Sequence, residues 1–112
     1  MGKSDFIINV FKFMKNITTK DLKNLIEDKA KDFILIDVRT SEEWNSGHIE
    51  DNRVKNIEVN SLLSNPSLIE KNKDCYLICE SGGRSSYAQI LLKLKRIETV
   101  EVKGGMSSYR KL

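Results

Sequence analysis

Hydrophobic residues along this chain fall either into short continuous runs or into stripes at helical spacing. The runs FILIDV at 33–38 and CYLIC at 75–79 have the length of strands, and their continuity is typical of strands buried on both faces. VKNIEV at 54–59 alternates apolar and polar residues, and TVEV at 99–102 runs up to a glycine pair. The pattern therefore predicts four strands.

The segments between these strands carry the signals of helices. Thr18 or Thr19 is predicted to cap a helix with an apolar stripe, and Ser41 to cap a short helix that opens with two acids. Pro66 is well placed at the start of a third helix, and helical spacing continues over 84–95. Strands that alternate with helices indicate the α/β class, with a mostly parallel sheet covered by helices on both faces.

The composition is that of an ordinary globular domain. The 112 residues, 39% hydrophobic and 31% charged, suffice for one domain with one hydrophobic core. The net charge of +3 is mild, and the one dense basic cluster, LKLKR at 92–96, lies in a helical stretch with regularly spaced leucines. We interpret this cluster as a solvated helix face rather than a nucleic-acid-binding patch, because no aromatic residues alternate with the basic ones.

The two cysteines, Cys75 and Cys79, do not form a disulfide framework. On one extended strand their Cα atoms would be about 13 Å apart, beyond the roughly 7 Å that a disulfide can bridge. This spacing fits a reducing compartment, so we expect a cytoplasmic protein in which each thiol is either buried and inert or chemically used. Cys75 is interpreted as an inert thiol within its strand.

Residues 1–16 are predicted to form a helical extension ahead of a domain over 17–112. The apolar residues of the extension fall at helical spacing, and packing on the domain is favoured over a membrane-surface helix because the polar face is small and weakly basic. The apolar run is short, is interrupted by Asn9 and Lys12, and lacks a small-residue cleavage site. It therefore does not resemble a secretory signal, and we expect no bilayer-spanning segment.

Candidate chemistry lies at the carboxyl ends of the predicted strands, where ligands bind in parallel α/β sheets. Cys79 ends its strand, Asp37 and Arg39 follow the end of another, and Gly104 and Gly105 follow the last. The carboxyl ends of parallel strands meet at one edge of the sheet. The sequence therefore predicts a site at this edge, with Cys79 as its nucleophile.

The loop ESGG after Cys79 has the features of an anion-binding cradle. Gly82 and Gly83 tolerate the positive φ values that turn successive N–H groups inward, and the helix that begins near Arg84 points its free N–H groups the same way. Together with the guanidinium group, these features favour the thiolate form of Cys79 over the thiol. A strand-end cysteine alone would be interpreted as a core residue, but this setting favours a reactive one.

Three motifs, in this order, resemble the rhodanese-like domain family. LIDVRTSEEWNSGHI at 35–49 resembles the family's Asp-x-Arg strand end and Gly-His-Ile segment, ICESGGRSS at 78–86 its active-site loop, and VKGGMSSY at 102–109 its C-terminal Gly-Gly motif. The resemblance implies a central five-stranded, mostly parallel sheet flanked by helices. It also implies a sulfurtransferase that carries sulfane sulfur as a persulfide on Cys79 and needs no metal or cofactor.

Loop length separates this chemistry from that of related phosphatases. Four residues separate Cys79 from Arg84, whereas by resemblance the Cys-dependent phosphatases have five. The shorter ring is too tight for a phosphate ester but suits one extra sulfur atom. We therefore expect a small-molecule sulfur donor such as thiosulfate or a persulfide, and a thiol, a protein or cyanide as the acceptor.

The resemblance also implies roles for the residues around Cys79. The loop that holds the persulfide comprises Glu80, Ser81, Gly82, Gly83 and Arg84. The supporting positions are Asp37, Arg39, Ser85, Gly104 and Gly105. Asp37 and Arg39 are expected to form ion pairs with neighbours such as Glu43 rather than to act in catalysis. His48 is not assigned as a base, because a thiolate that its loop already ionises needs none.

Two features depart from the family pattern. The loop after Gly47-His48-Ile49 lacks the family's Gly-Ala and reaches Asn56 two residues late, so we expect altered packing there. Glu80 lies where many thiosulfate-active loops have a basic residue, and its carboxylate is expected to repel a dianionic donor. The alternative to an enzyme is a module that uses this fold to dock a partner. The retained Cys79, loop glycines and Arg84 favour the enzyme.

Overall fold

A computed structural model describes residues 14–112, which contain one five-stranded sheet. Every strand pair is parallel, and the order of strands across the sheet is β1-β5-β4-β2-β3. The strands are β1 (Lys15–Ile17), β2 (Phe33–Asp37), β3 (Val54–Asn56), β4 (Asp74–Ile78) and β5 (Val100–Val102). The α/β class and the five-stranded parallel sheet are thus confirmed.

Helices connect the strands and cover both faces of the sheet. They are α1 (Thr19–Glu27), α2 (Ser41–Ser46), α3 (Val59–Ser64), α4 (Gly83–Leu94) and α5 (Gly105–Tyr109), with a 3₁₀ turn over Pro66–Leu68. None of the helices within residues 14–112 is long and apolar enough to cross a membrane. The helix predicted over 1–16 falls mainly outside the described residues; its last two residues, Lys15 and Asn16, lie in β1.

Strand β2 is buried along its whole length and separates two hydrophobic clusters. Ile34 and Ile36 belong to the cluster that includes residues of α3 and α4, whereas Phe33 and Leu35 belong to the cluster that includes residues of α1 and α5. This division arises because successive side chains of a strand point to opposite faces. A strand with helices on both sides needs apolar residues at every position, which explains its continuous run.

Strand β3 is shorter than predicted, and β1 was not predicted at all. β3 ends at Asn56, and Val59 is the first residue of α3. The Asn56 side chain donates from Nδ2 to the carbonyl oxygens of Asp37 and Arg39, at 2.9 Å each. They add to backbone hydrogen bonds beyond the end of β3, where the Ile57 amide donates to the Asp37 carbonyl and the Val59 amide to the Val38 carbonyl, at 3.1 Å each. The three residues of β1, at the sheet edge, carry too short a pattern to be recognised.

Helix α2 is capped by Thr40 rather than by Ser41. The Thr40 hydroxyl accepts a hydrogen bond from the Glu43 amide at 3.2 Å, and a Glu43 carboxylate oxygen accepts one from the Thr40 amide at 3.0 Å. This reciprocal pair needs a carboxylate or amide side chain three residues after the cap. Trp44 occupies that position relative to Ser41, so Ser41 cannot form the pair. For α1, the cap is Thr18.

Candidate active site

Cys79 lies directly after β4, at the carboxyl edge of the sheet, and only 1% of the residue is exposed. Its Sγ accepts a hydrogen bond from the Gly82 amide at 3.0 Å, and the Ser85 amide lies 3.4 Å from the same sulfur. The Ser85 hydroxyl oxygen is 3.3 Å from the sulfur. Two backbone N–H groups directed at one sulfur favour a negative charge on it.

The loop after Cys79 takes its shape from Gly82, which adopts φ 107° and ψ −15°. Residues with a side chain rarely adopt this left-handed conformation. Helix α4 begins at the next residue, Gly83, and the Ser86 amide donates to the Gly82 carbonyl at 3.0 Å. The loop therefore leads directly into the first turn of α4. Ser81, in the same loop, is exposed.

Helix α5 holds the start of the loop through backbone contacts. The Met106 amide donates to the Cys79 carbonyl at 2.8 Å, and the Ser107 amide donates to the Glu80 carbonyl at 2.9 Å. A Cβ atom on Gly105 would lie 2.4 Å from the Cys79 carbonyl oxygen and 2.6 Å from that of Glu80. Only glycine therefore permits α5 to approach the loop this closely.

Asp37 and Arg39 form a buried ion pair beside the loop, each residue being 1% exposed. Arg39 donates from Nη2 and Nε to the Asp37 carboxylate, at 2.8 and 3.0 Å. Arg39 Nη2 also donates to the Gly47 carbonyl at 2.9 Å, which joins the end of β2 to the segment after α2. Both residues are ion-paired, as expected, but they pair with each other.

Arg84 forms a bidentate pair with Glu43. Its Nη1 and Nη2 donate to the two carboxylate oxygens of Glu43, at 2.6 and 2.9 Å. The hydrogen bond from Arg84 lowers the pKa of Glu43 to about 2, so this carboxylate is ionised at neutral pH. Glu43 is thus not the ion-pair partner that we expected for Asp37 or Arg39. Its carboxylate also offsets part of the positive charge that Arg84 presents to Cys79.

Glu80 is held by two arginines. Arg110 donates from Nη1 and Nη2 to the Glu80 carboxylate at 2.6 and 3.1 Å, and Arg39 Nη1 lies 3.4 Å from it. The hydrogen bond from Arg110 lowers the pKa of Glu80. The guanidinium groups of Arg110 and Arg39 therefore compensate the negative charge of Glu80.

Comparison with known proteins agrees with this geometry. The sequence model of the rhodanese-like domain family matches residues 18–112. The chain belongs to this family. All of the residues that line the Cys79 loop, and the α5 segment that holds it, fall within the matched range.

Two similar proteins match this rhodanese-like domain over most of their own length. The "Putative sulfurtransferase YtwF" of Bacillus subtilis is 33% identical over 96 residues, covering 86% of this chain and 90% of that protein. The crystal structure of a rhodanese-like domain protein from Staphylococcus aureus has a TM-score of 0.76 and 35% identity, covering 86% of this chain and 91% of that one. The family and the first relative support sulfurtransferase activity in general terms.

A longer relative contains a similar domain as one part. The "Probable molybdopterin-synthase adenylyltransferase" of Pyropia yezoensis is 23% identical over 100 residues, which are 89% of this chain. The chain spans only 26% of the length of that relative.

Two residues of the site were missed in the sequence. Arg110 holds Glu80, and Glu101 accepts a hydrogen bond from the Ser85 hydroxyl at 3.0 Å. The sequence signal for Arg110 is weak, because only the preceding Gly-Gly motif indicates that this segment reaches the loop. The signal for Glu101 is a charged residue inside a predicted strand, where a buried acid is rare.

His48 and Cys75 take no part in the contacts around the Cys79 sulfur that are described above. The His48 ring stacks on Trp44 with centroids 3.6 Å apart, and its Nδ1 lies 2.8 Å from the Trp44 carbonyl oxygen. Burial raises the pKa of Cys75 to about 12, so this residue stays a thiol at neutral pH. Both cysteines are free, as their spacing on one strand predicted.

Gly105→Ala should destabilise the rhodanese-like domain by about 2–4 kcal/mol. The new Cβ would collide with two backbone oxygens, and the φ of 60° at Gly105 is unfavourable for alanine. Gly104, at φ 82°, imposes the same restriction one residue earlier. Urea titration of the free energy of unfolding measures the effect.

The matched control is Gly83→Ala, where an added Cβ meets nothing within 4 Å. This variant should change the free energy of unfolding by less than about 1 kcal/mol. If Gly105→Ala is as stable as the control, the close approach of α5 does not hold the loop.

Proposed function

We propose that this rhodanese-like domain is a sulfurtransferase that carries sulfane sulfur as a persulfide on Cys79. The observation behind the proposal is the cradle around Sγ, in which the Gly82 amide lies at 3.0 Å and the Ser85 amide at 3.4 Å. Family membership and the name of the Bacillus subtilis relative support the same activity. We further propose a cytoplasmic protein with a thiol or protein as its acceptor.

The tightness of the cradle favours sulfur over phosphate as its cargo. The loop amides already lie at hydrogen-bond distance from Sγ itself, and only four residues separate Cys79 from Arg84. One additional sulfur atom bonded to Sγ needs one or two N–H donors near its new position. A phosphoryl group presents several oxygens to the loop and needs a wider ring of donors to hold them.

The proposed reaction consists of two displacements on sulfur. In the first, the Cys79 thiolate attacks the outer sulfur of the donor, a new S–S bond forms, and the old bond breaks. With thiosulfate, the bonding electron pair leaves with sulfite. In the second, a nucleophilic acceptor attacks the outer persulfide sulfur, and the Cys79 thiolate leaves. The loop amides stabilise the negative sulfur in both steps, so ping-pong kinetics are expected.

Glu80 makes the loop less suited to a dianionic donor. Its carboxylate accepts a hydrogen bond from Arg110 Nη1 at 2.6 Å and lies 3.4 Å from Arg39 Nη1. An anionic donor would have to compete with the Glu80 carboxylate for these two cations. The proposed donor class is therefore one with less negative charge, such as a low-molecular-weight or protein persulfide, with thiosulfate as a poor substitute.

Sulfur loading should depend on Cys79 and not on Cys75. Incubation with thiosulfate should add one sulfur atom to the protein, and cyanide should remove it, because cyanide attacks the outer persulfide sulfur. Cys79→Ser should abolish the addition, and Cys75→Ser serves as the control that retains it. Intact mass before and after each reagent measures both steps.

Two outcomes would contradict this proposal. Sulfur found on Cys75 would place the reactive thiol elsewhere. No uptake from either thiosulfate or a persulfide donor would favour a module that docks a partner without transferring sulfur.

Aryl phosphates should not be hydrolysed at a useful rate by the unmodified protein. The ring of four residues between Cys79 and Arg84 is too short to hold a phosphate ester. A variant with one glycine inserted between Gly82 and Gly83 tests ring size directly, and only this variant is expected to bind aryl phosphates. Clear turnover of an aryl phosphate by the wild type would refute the argument from loop length.

Glu80→Gln should raise kcat/KM for thiosulfate about fivefold at low ionic strength. The substitution removes the carboxylate that neutralises Arg110 and Arg39, so both cations become available to the donor. A gain of about 1 kcal/mol from this change corresponds to about fivefold. The gain should shrink as salt screens the remaining charges. Glu80→Lys is a less clean test, because it would add a third cation beside Arg110 and Arg39.

Glu70→Gln is the control for this prediction. Glu70 carries the same charge but pairs with Lys73 and Lys55 near the start of β4, away from the Cys79 loop. Steady-state assays at low and high salt should leave its kcat/KM at the wild-type value. If Glu80→Gln does not exceed the wild type at low salt, Glu80 does not govern donor choice.

A further inference from the structure

Glu101 is a buried acid that is held by hydroxyl groups. It lies in β5, between β1 and β4, and is 7% exposed. One carboxylate oxygen accepts hydrogen bonds from both the Ser85 hydroxyl, at 3.0 Å, and the Ser86 hydroxyl. Among the residues that the structure describes, no lysine, arginine or histidine forms a salt bridge with it. A buried carboxylate without a cation depends strongly on each hydrogen-bond donor that it has.

The Ser85 hydroxyl has one proton and three possible acceptors. The Glu101 carboxylate oxygen lies at 3.0 Å, the Gly82 carbonyl at 3.2 Å and the Cys79 sulfur at 3.3 Å. An ionised carboxylate is the strongest acceptor of the three when Cys79 is a thiol. The proton then points to Glu101, and the Ser85 oxygen turns a lone pair to the sulfur. In this arrangement the Cys79 thiol donates to Ser85, and Ser85 donates to Glu101.

We infer that Glu101 is a positioning residue that competes with Cys79 for the Ser85 proton and thereby limits the thiolate fraction of the resting protein. Ionisation of Cys79 releases the thiol proton to solvent. The Ser85 O–H then turns from Glu101 to Sγ, and Glu101 keeps the Ser86 hydroxyl as a donor. Glu101 loses a hydrogen bond in this change. The inference rests on the proposed role of Cys79 as the thiol that accepts sulfur.

The other charges near Cys79 are already paired with each other. From the start of α4, Arg84 faces the sulfur but binds Glu43 of α2. From the loop and the end of β2, the remaining charged groups form the ion pairs Glu80–Arg110 and Asp37–Arg39. Glu101, on β5, differs from them because it is linked to the sulfur through a single hydroxyl. A change at Glu101 should therefore act on Cys79 without disturbing an ion pair.

Glu101→Gln in the full chain tests this inference. Glutamine carries no charge, and its amide can donate to Ser85, so the Ser85 proton becomes available to the Cys79 thiolate. The readout is the rate at which iodoacetamide alkylates Cys79 across pH, located by peptide mass. At neutral pH, Glu101→Gln should be alkylated about tenfold faster than the wild type, and its rate profile should move to lower pH.

Glu98→Gln is the matched control. It removes the same charge from an exposed residue two positions before β5, where Glu98 pairs with Lys93. Its alkylation profile should equal that of the wild type. Unfolding curves for each variant verify that the rates are compared between folded proteins.

Ser86→Ala is a second test that keeps Glu101 in place. It removes one of the two donors to the carboxylate, so Glu101 should hold the Ser85 proton more tightly. Alkylation of Cys79 should then become slower than in the wild type, by about threefold. This variant tests the inference even if Glu101→Gln does not fold.

The Ser85→Ala background decides whether the effect passes through the hydroxyl. In that background Glu101→Gln should no longer accelerate alkylation. The inference is overturned if Glu101→Gln matches the wild type, if its gain persists in Ser85→Ala, or if Ser86→Ala does not slow alkylation. Alkylation does not require sulfur transfer, so a failure of the proposed function would appear separately, as absence of sulfur uptake with these rate changes intact.

Discussion

The amides of Met106 and Ser107 donate hydrogen bonds to the carbonyl oxygens of Cys79 and Glu80, and these two bonds connect the last helix of the domain to the start of the loop that follows Cys79. Both acceptors are backbone atoms, so a displacement of α5 would turn the peptide that carries the Cys79 side chain. Helix α5 is in turn positioned by β5, which pairs with β4 and β1. The position of the Cys79 sulfur therefore depends on the pairing of β5 with its two neighbouring strands.

The net charge of the chain does not describe the electrostatic environment of the Cys79 sulfur. Each of the three arginines near the loop is paired with a carboxylate, in the pairs Arg84–Glu43, Arg39–Asp37 and Arg110–Glu80. Paired guanidinium groups contribute less to thiolate stability than isolated ones would. Backbone amides have no counter-ion, so the N–H groups of Gly82 and Ser85 retain their full effect on the sulfur. The conformation of the loop thus matters more than the side-chain charges that the sequence displays.

Local sequence patterns predicted those features of the molecule that depend on the residue type at a single position or in a short segment. The buried strands at 33–38 and 75–79 and Gly82 of the loop are signals of this kind, because burial on both faces and a left-handed conformation each restrict the residue type at the position itself. Partner choice is different. Glu43 and Arg84 lie 41 positions apart in sequence, and Glu80 and Arg110 lie 30 apart. Either acid could have paired with another arginine, and only the fold decides which cation each one meets.

Contacts between residues that are distant in sequence also explain why an acid is found inside β5. An interior strand normally excludes a charged side chain, because burial removes its hydration. Glu101 lies beside two hydroxyls at the start of α4, and one of them also contacts the sulfur. A thiol that must accept sulfur has to ionise, yet a thiolate that persists is also the form that is most readily oxidised. The loop amides favour the thiolate of Cys79, whereas the Glu101 carboxylate draws the Ser85 hydroxyl proton away from it. These two effects oppose each other at the Cys79 sulfur. The reactivity of Cys79 then depends on the difference between two effects, and a single hydroxyl, that of Ser85, connects them.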